Sequence, residues 1–285
     1  MTDATLPKGF HVRPIAGALG AEIEGVSLSS DLDSQTFEAI HRAFLDHQVI
    51  FFRDQNLTPE AHKKFAQRFG SLTIHPFVKG MDGHPEVMEI IKEPKDKMNF
   101  GGGWHSDTSF MEKPALGSIL HALEVPAYGG DTLFASQYLA YETLSEGMRE
   151  LLDTMTAFHT AKAEYGRQGN SAQKRSSMKI ENAADDNPGF EHPVVRTHPE
   201  TGRKALCINI AFTEKFKNMS RKDSLPLLNY LFAHATREEV TCRFRWTKGA
   251  VAFWDNRCVQ HFALNDYQGH RRHMRRVTIN GDRPV

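Results

Sequence analysis

Cysteine is scarce in this chain. The three cysteines, Cys207, Cys242 and Cys258, are scattered, and no two stand at the CxxC spacing. That excludes a disulfide framework and fits reduced, mostly buried thiols. Charge of one sign is missing as well, since 35 Lys and Arg face 35 Asp and Glu. So balanced a chain offers no electrostatic footprint for nucleic acid or an anionic membrane. No uncharged stretch approaches the length of a membrane span, and residues 1–9 lack the apolar centre of a secretion signal. The glycine run in Phe100-Gly101-Gly102-Gly103 lacks a following Lys-Ser/Thr and a strand-to-helix setting, so it is no phosphate cradle. A cytoplasmic protein, with neither nucleic acid nor membrane as partner, is the expectation left.

What is present points to mixed β structure. With 285 residues, 40% of them hydrophobic, the chain can bury one large core, or one core with a substantial insertion. The spacing predicts an N-terminal β stretch over 10–28, a helix over 35–47, an apolar strand at 49–52 and a helix from Pro59 to Phe69 capped by Thr58. Strands are expected near 86–91, 117–125 and 131–135, a helix near 137–152 and a strand near 155–161. Further strands fall near 205–210, 240–246, 249–254 and 271–279, interrupted by a helix capped by Ser220. Many short strands with helices clustered early, and no βαβ rhythm, suggest a β-sandwich with flanking helices. Between them, 166–189 is polar and irregular, and connections that long are commonly functional covers or unstructured.

Two places carry chemistry: His105-Ser106-Asp107 and, far along the chain, His261. Two residues apart on an extended segment, His105 and Asp107 project to one side and can grip one ion. A His-x-Asp pair plus a distant His is the sequence form of the two-His, one-carboxylate triad of non-heme Fe(II) oxygenases. Alone it is a weak motif. Downstream, Arg271-Arg272-His273-Met274-Arg275-Arg276-Val277-Thr278-Ile279 reads as a strand. Period 2 sets 272, 274 and 276 on one face and 271, 273 and 275 on the other. If Arg272 and Arg276 point inward they require anions, because a buried unpaired charge is strongly disfavoured. A basic outer face is the alternative that spacing leaves open.

Set beside Gly129-Gly130-Asp131-Thr132, His192-Pro193-Val194-Val195-Arg196-Thr197-His198-Pro199, Trp254-Asp255-Asn256-Arg257 and Gly281-Asp282-Arg283-Pro284, these residues form an ordered series. The series resembles the taurine dioxygenase-like family of Fe(II)/2-oxoglutarate-dependent oxygenases, which also holds phenoxyalkanoate and alkyl sulfate dioxygenases. The resemblance runs from about residue 10 to the end. It implies a double-stranded β-helix (jelly-roll) core, one dioxygenase domain over 1–285, and a lid-like insertion at 166–189. It implies Fe(II) on His105, Asp107 and His261, and 2-oxoglutarate held at its far carboxylate by Arg272 and Thr132. O2 completes the reaction, which gives succinate, CO2 and a hydroxylated substrate. Asp107 argues for hydroxylation, since halogenating relatives lack that carboxylate.

The resemblance also assigns Arg276 and His75 to the anionic group of a small organic substrate, with Phe212 and Tyr165 lining the pocket. Two departures weigh against taurine itself. Gly101 stands where taurine-specific relatives carry Asn, and Val78 stands where Tyr is expected. Both remove polar groups and open space, which favours a sulfonate, alkyl sulfate or aryloxyalkanoate with a larger apolar body. Hydroxylation at carbon next to the heteroatom is then expected. A homo-oligomer, dimer or tetramer, is implied too. Two rival classes use the same ligand set, a zinc-dependent hydrolase and a non-catalytic jelly-roll binding protein.

Overall fold

The computed structural model describes residues 6–167 and 184–285. In chain order the strands are β1 (His11–Pro14), β2 (Ala21–Glu24), β3 (Val49–Phe52), β4 (Val87–Lys92), β5 (Gly117–Glu124), β6 (Thr132–Ser136), β7 (Thr156–His159), β8 (Phe190–Pro193), β9 (Val195–Thr197), β10 (Lys204–Leu206), β11 (Thr213–Phe216), β12 (Thr241–Phe244), β13 (Val251–Asp255), β14 (Val259–Ala263) and β15 (Arg272–Ile279). The α-helices are α1 (Ser34–His47), α2 (Pro59–Gln67), α3 (Gln137–Glu142), α4 (Glu146–Asp153), α5 (Lys162–Tyr165) and α6 (Arg221–His234).

Alternation builds the main layers. Every residue of β3 is buried, Val49 and Phe51 toward one core and Ile50 and Phe52 toward another. β3 lies inside a seven-stranded sheet of order β1-β2-β3-β13-β5-β15-β4. A smaller sheet, β12-β6-β14, faces it. Phe51, Leu120 and Met274 from the larger sheet meet Phe134, Phe244 and Val259 from the smaller one, and Phe51 stacks on Phe244 at 4.0 Å. Two sheets closed over a shared interior make the double-stranded β-helix. The outer face of the larger sheet is covered by α1 and α2, with Phe44 of α1 stacked on Phe253 at 4.0 Å. Each such aromatic contributes about 1.5–3 kcal/mol by leaving water.

The early elements follow their local signals. Asp33 caps α1 by accepting from the Thr36 amide at 2.7 Å, and Thr58 caps α2 with Pro59 in its first turn. The single helix expected over 137–152 is two. Thr143 turns its hydroxyl back to the Leu139 carbonyl, Leu144 is buried, and a new helix starts after Ser145. Strands β8, β9, β11 and β14 were not expected. In β14 Gln260 and His261 are both buried, so no apolar–polar alternation betrays it. Of the irregular stretch expected at 166–189, residues 168–183 lie outside the described residues.

Candidate active site

The mouth of the β-helix is stitched by a bridge. The His105 amide donates to the His261 carbonyl at 3.1 Å, and the His261 amide donates back at 2.8 Å. β14 supplies His261; the segment leading into β5 supplies His105 and Asp107. Both imidazoles and the carboxylate are buried, and one ligand atom from each lies within 4.8 Å of the others. His105 Nδ1 lies 2.7 Å from the Gly103 carbonyl, which can only accept. The proton therefore sits on Nδ1, and the Nε2 lone pair, 3.8 Å from Asp107 Oδ1, is free. The His261 ring is held 4.5 Å from Trp254. Its Nδ1 is buried without a protein partner, and burial followed by the neighbouring His105 keeps the ring neutral.

Asp107 is held from both sides. Ser118 donates its hydroxyl to Oδ2 at 2.7 Å, and Arg276 Nη1 donates to Oδ1 at 2.8 Å. Asn256 ties the rest together: its amide group donates to Ser118, and its oxygen accepts from the Asp107 amide at 3.1 Å and from Trp254 Nε1 at 3.0 Å. Burial raises the Asp107 pKa, but Arg276, the two imidazoles and Ser118 outweigh it, so the group stays below the usual carboxylate range. The next residue, Thr108, has φ 53, a strained setting for a β-branched side chain.

β15 settles the question that spacing left open. Arg272, Met274 and Arg276 are buried, while Arg271, His273 and Arg275 turn outward and meet Glu93, Glu124 and Glu89. The two inward arginines differ. Arg272 has no hydrogen-bond partner at Nε or Nη2. Its guanidinium lies 5.7 Å from the Trp246 ring, and Trp246 Nε1 donates to the Thr132 hydroxyl at 2.9 Å. Thr132 and Arg272 are thus gathered around one indole. Arg276 is already engaged with Asp107.

His75 shares a small cavity wall with Arg276, Val78 and Thr108. Its Nδ1 accepts from the amides of Phe77 and Val78, at 3.2 and 3.1 Å, so its proton is on Nε2. Desolvation and then Arg276 push its pKa down to about 3. Tyr165 and Phe212 are buried, stacked with centroids 6.3 Å apart, and Phe212 lies 6.2 Å from His105. Together with Phe100, Gly101 and Ala211 they line a cavity of about 380 Å³ beside His105, with Glu164 the carboxylate on its wall. Gly101 has φ +74, and a Cβ there would stand 3.3 Å from His105 Cε1.

Known proteins resemble this chain over most of its length. A family model described as "Taurine catabolism dioxygenase TauD, TfdA family" matches residues 11–278. The chain belongs to the TauD/TfdA family. An alpha-ketoglutarate-dependent sulfate ester dioxygenase of Pseudomonas putida is 40% identical over 294 residues, covering 100% of this chain and 96% of that one. An alkylsulfatase of Acinetobacter baylyi is 38% identical over 275 residues, 96% of this chain and 86% of that one. A crystal structure described as a putative alpha-ketoglutarate-dependent taurine dioxygenase from Burkholderia xenovorans superimposes with a TM-score of 0.82 at 36% identity, covering 97% and 94%.

This TauD/TfdA chain is therefore a 2-oxoglutarate-dependent dioxygenase that uses Fe(II), 2-oxoglutarate and O2. Family membership removes the zinc hydrolase and the non-catalytic binding protein. Its residues fit the metal: two imidazoles and an ionised carboxylate suit Fe(II), and a buried imidazole nitrogen lacks a protein partner. A second His–Asp–Cys group, His198, Asp255 and Cys258, is also buried and close-set. Sequence reasoning missed Ser118, Asn256 and Trp246. Each lies inside a stretch already read as strand or family block, but no spacing rule says which neighbour will touch Asp107 or Thr132. No helix among the described residues is long and apolar enough to cross a membrane.

Proposed function

We propose that this dioxygenase hydroxylates a small organic anion with an apolar body, an alkyl sulfate or sulfonate ahead of an aryloxyalkanoate, at the carbon bearing the heteroatom. His105, Asp107 and His261 hold Fe(II), which when bound supplies the redox chemistry that couples decarboxylation of 2-oxoglutarate to C–H hydroxylation. The protein's own residues do the positioning. Arg272 presents two unpartnered guanidinium nitrogens beside the Thr132 hydroxyl, a pair suited to a carboxylate. Arg276, with the Nε2–H of His75, takes the substrate's anionic group. Phe212, Tyr165 and Phe100 exclude water from its apolar chain. Hydroxylation of R–CH2–O–SO3⁻ gives R–CH(OH)–O–SO3⁻, which breaks its C–O bond to release R–CHO and hydrogen sulfate.

The observation that carries this reading is the pair of buried arginines two pleat repeats apart on β15, with Arg276 5.9 Å from the ring of Phe100, which lines the cavity beside His105 together with the glycine at position 101. Similarity to a sulfate ester dioxygenase and an alkylsulfatase supports the sulfate arm. The chain acts as one domain in the cytoplasm, a setting supported by three free cysteines. Exposed Ile210 and Tyr230 support a homo-oligomer. Substrate-triggered succinate release across hexyl sulfate, hexanesulfonate, a phenoxyacetate and taurine tests the assignment. Hexyl sulfate should give the highest kcat/KM; taurine turned over as well as hexyl sulfate would sink it.

A further inference from the structure

β4 alternates. Met88, Ile90 and Lys92 are buried, while Glu89 turns outward to His273 and Arg275. β4 pairs with β15 so that Arg276 faces Met88, Met274 faces Ile90 and Arg272 faces Lys92. Residues directly opposed on antiparallel strands project to the same side of the sheet. Lys92 is therefore an inward cation beside Arg272. It is 3% exposed, and its ammonium has no hydrogen-bond partner.

Tyr267 links the two cations. Lys92 Nζ lies 4.5 Å from the Tyr267 ring centroid. The same ring borders Gly130, where an added Cβ would meet Tyr267 Cε1 at 3.3 Å and Arg272 Cδ at 3.4 Å. Of the nearby carboxylates, Glu93 is committed to Arg271; Asp131 gives one oxygen to Arg243 at 2.7 Å, and its other oxygen, though its charge is felt by Arg272, makes no hydrogen bond. Burial lowers the Lys92 pKa, and the Asp96 carboxylate only partly offsets this. A cation over an aromatic ring gains ~0.5–2 kcal/mol, less than an unpaired buried ammonium costs. Neither the Lys92 ammonium nor Arg272 Nε and Nη2 meets an acceptor at hydrogen-bond distance.

We infer that Lys92 is a second cationic anchor for the far carboxylate of 2-oxoglutarate, acting with Arg272 and Thr132. This rests on the proposed role of Arg272. Lys92 makes the site select 2-oxo acids that carry a second carboxylate over those that end in a methyl group.

Calorimetric titration of the Mn(II)-loaded protein without oxygen tests it, using 2-oxoglutarate and 2-oxobutyrate as probes. Lys92→Met should weaken 2-oxoglutarate by about ten- to hundredfold, the range of one charge-assisted hydrogen bond, and leave 2-oxobutyrate unchanged. Lys92→Arg should recover most of the loss. If the Met variant does not fold, Lys92→Gln takes its place with the same expectation. Unchanged 2-oxoglutarate binding in a folded variant overturns the inference, as does equal weakening of both acids, the mark of a damaged core. A wild-type protein that binds the two acids alike overturns the reading of Arg272 and this inference with it.

Discussion

Two buried groups in this molecule share a His–Asp composition and differ in what is left over. Around Asp255 the polar atoms are occupied. His198 Nε2 meets Oδ2 at 3.0 Å, and Arg257 donates to both carboxylate oxygens through Nε and Nη2. His198 Nδ1 accepts from the amides of Glu200 and Thr201, and Arg257 Nη1 reaches Glu200 at 2.6 Å. Around Asp107 the His105 Nε2 lone pair is free, His261 Nδ1 is unpartnered, and Arg272 nearby has two idle nitrogens. Composition does not make a metal centre; open donor capacity does. The first group is a closed clamp that pins residues 198–201 to the end of β13, and the second is a socket.

The largest effect should fall on the socket. His105→Ala removes a proposed ligand whose free nitrogen nothing else replaces, so succinate formation should disappear and Mn(II) titration should lose its single site. His198→Asn should leave that site intact. A second tightly bound ion per wild-type chain would break the contrast, because the clamp would then not be closed. The clamp answers in stability instead. Asp255→Ala strands Arg257 and His198 in the core and should cost about 3–5 kcal/mol, read as a lowered midpoint in urea unfolding. If the same variant unfolds like wild type, the Asp255 network is not the clamp described.

Within the socket the two arginines sharpen the division further. Arg272→Ala should raise the Kd for 2-oxoglutarate, and Arg276→Ala the KM for the organic anion, each by about ten- to hundredfold. Arg276→Ala also frees Asp107 Oδ1, so a modest change in metal affinity should accompany it. Equal effects of both variants on 2-oxoglutarate would mean that the far-carboxylate site spans both side chains.

Part of this arrangement is legible in the sequence. His105-x-Asp107 named two of the clustered groups, period 2 put Arg272, Met274 and Arg276 on one face without saying which way it turns, and Thr58 with Pro59 fixed the start of α2. What escaped was tertiary. β14 is buried on both sides, so Gln260 and His261 interrupt its apolar run and the strand goes unseen. Trp246 reaches Thr132 across the sheet, which no spacing along the chain encodes. Lys92 is different. Its signal, a lysine on the Met88–Ile90 face of β4, is present in the alternation, but the strand expected at 86–91 stops one residue short of it.

The smallest expected effect concerns His75. Two backbone amides occupy its Nδ1, and desolvation with Arg276 alongside pushes its pKa down to about 3. It therefore stays neutral through the range of about pH 5.5 to 8 in which an ordinary histidine titrates. In the proposed site a neutral His75 would offer the substrate a hydrogen bond from Nε2 and no charge. KM for a sulfate ester, whose own charge is constant there, should then be flat over that range. The sign of the alternative is fixed: a His75 titrating near its ordinary value would gain positive charge as pH falls, attract the anion more strongly and lower KM. A KM that drops on acidification with that midpoint, and becomes flat in His75→Gln, would show that the ring is far better solvated with the pocket occupied than Arg276 and the two amides imply.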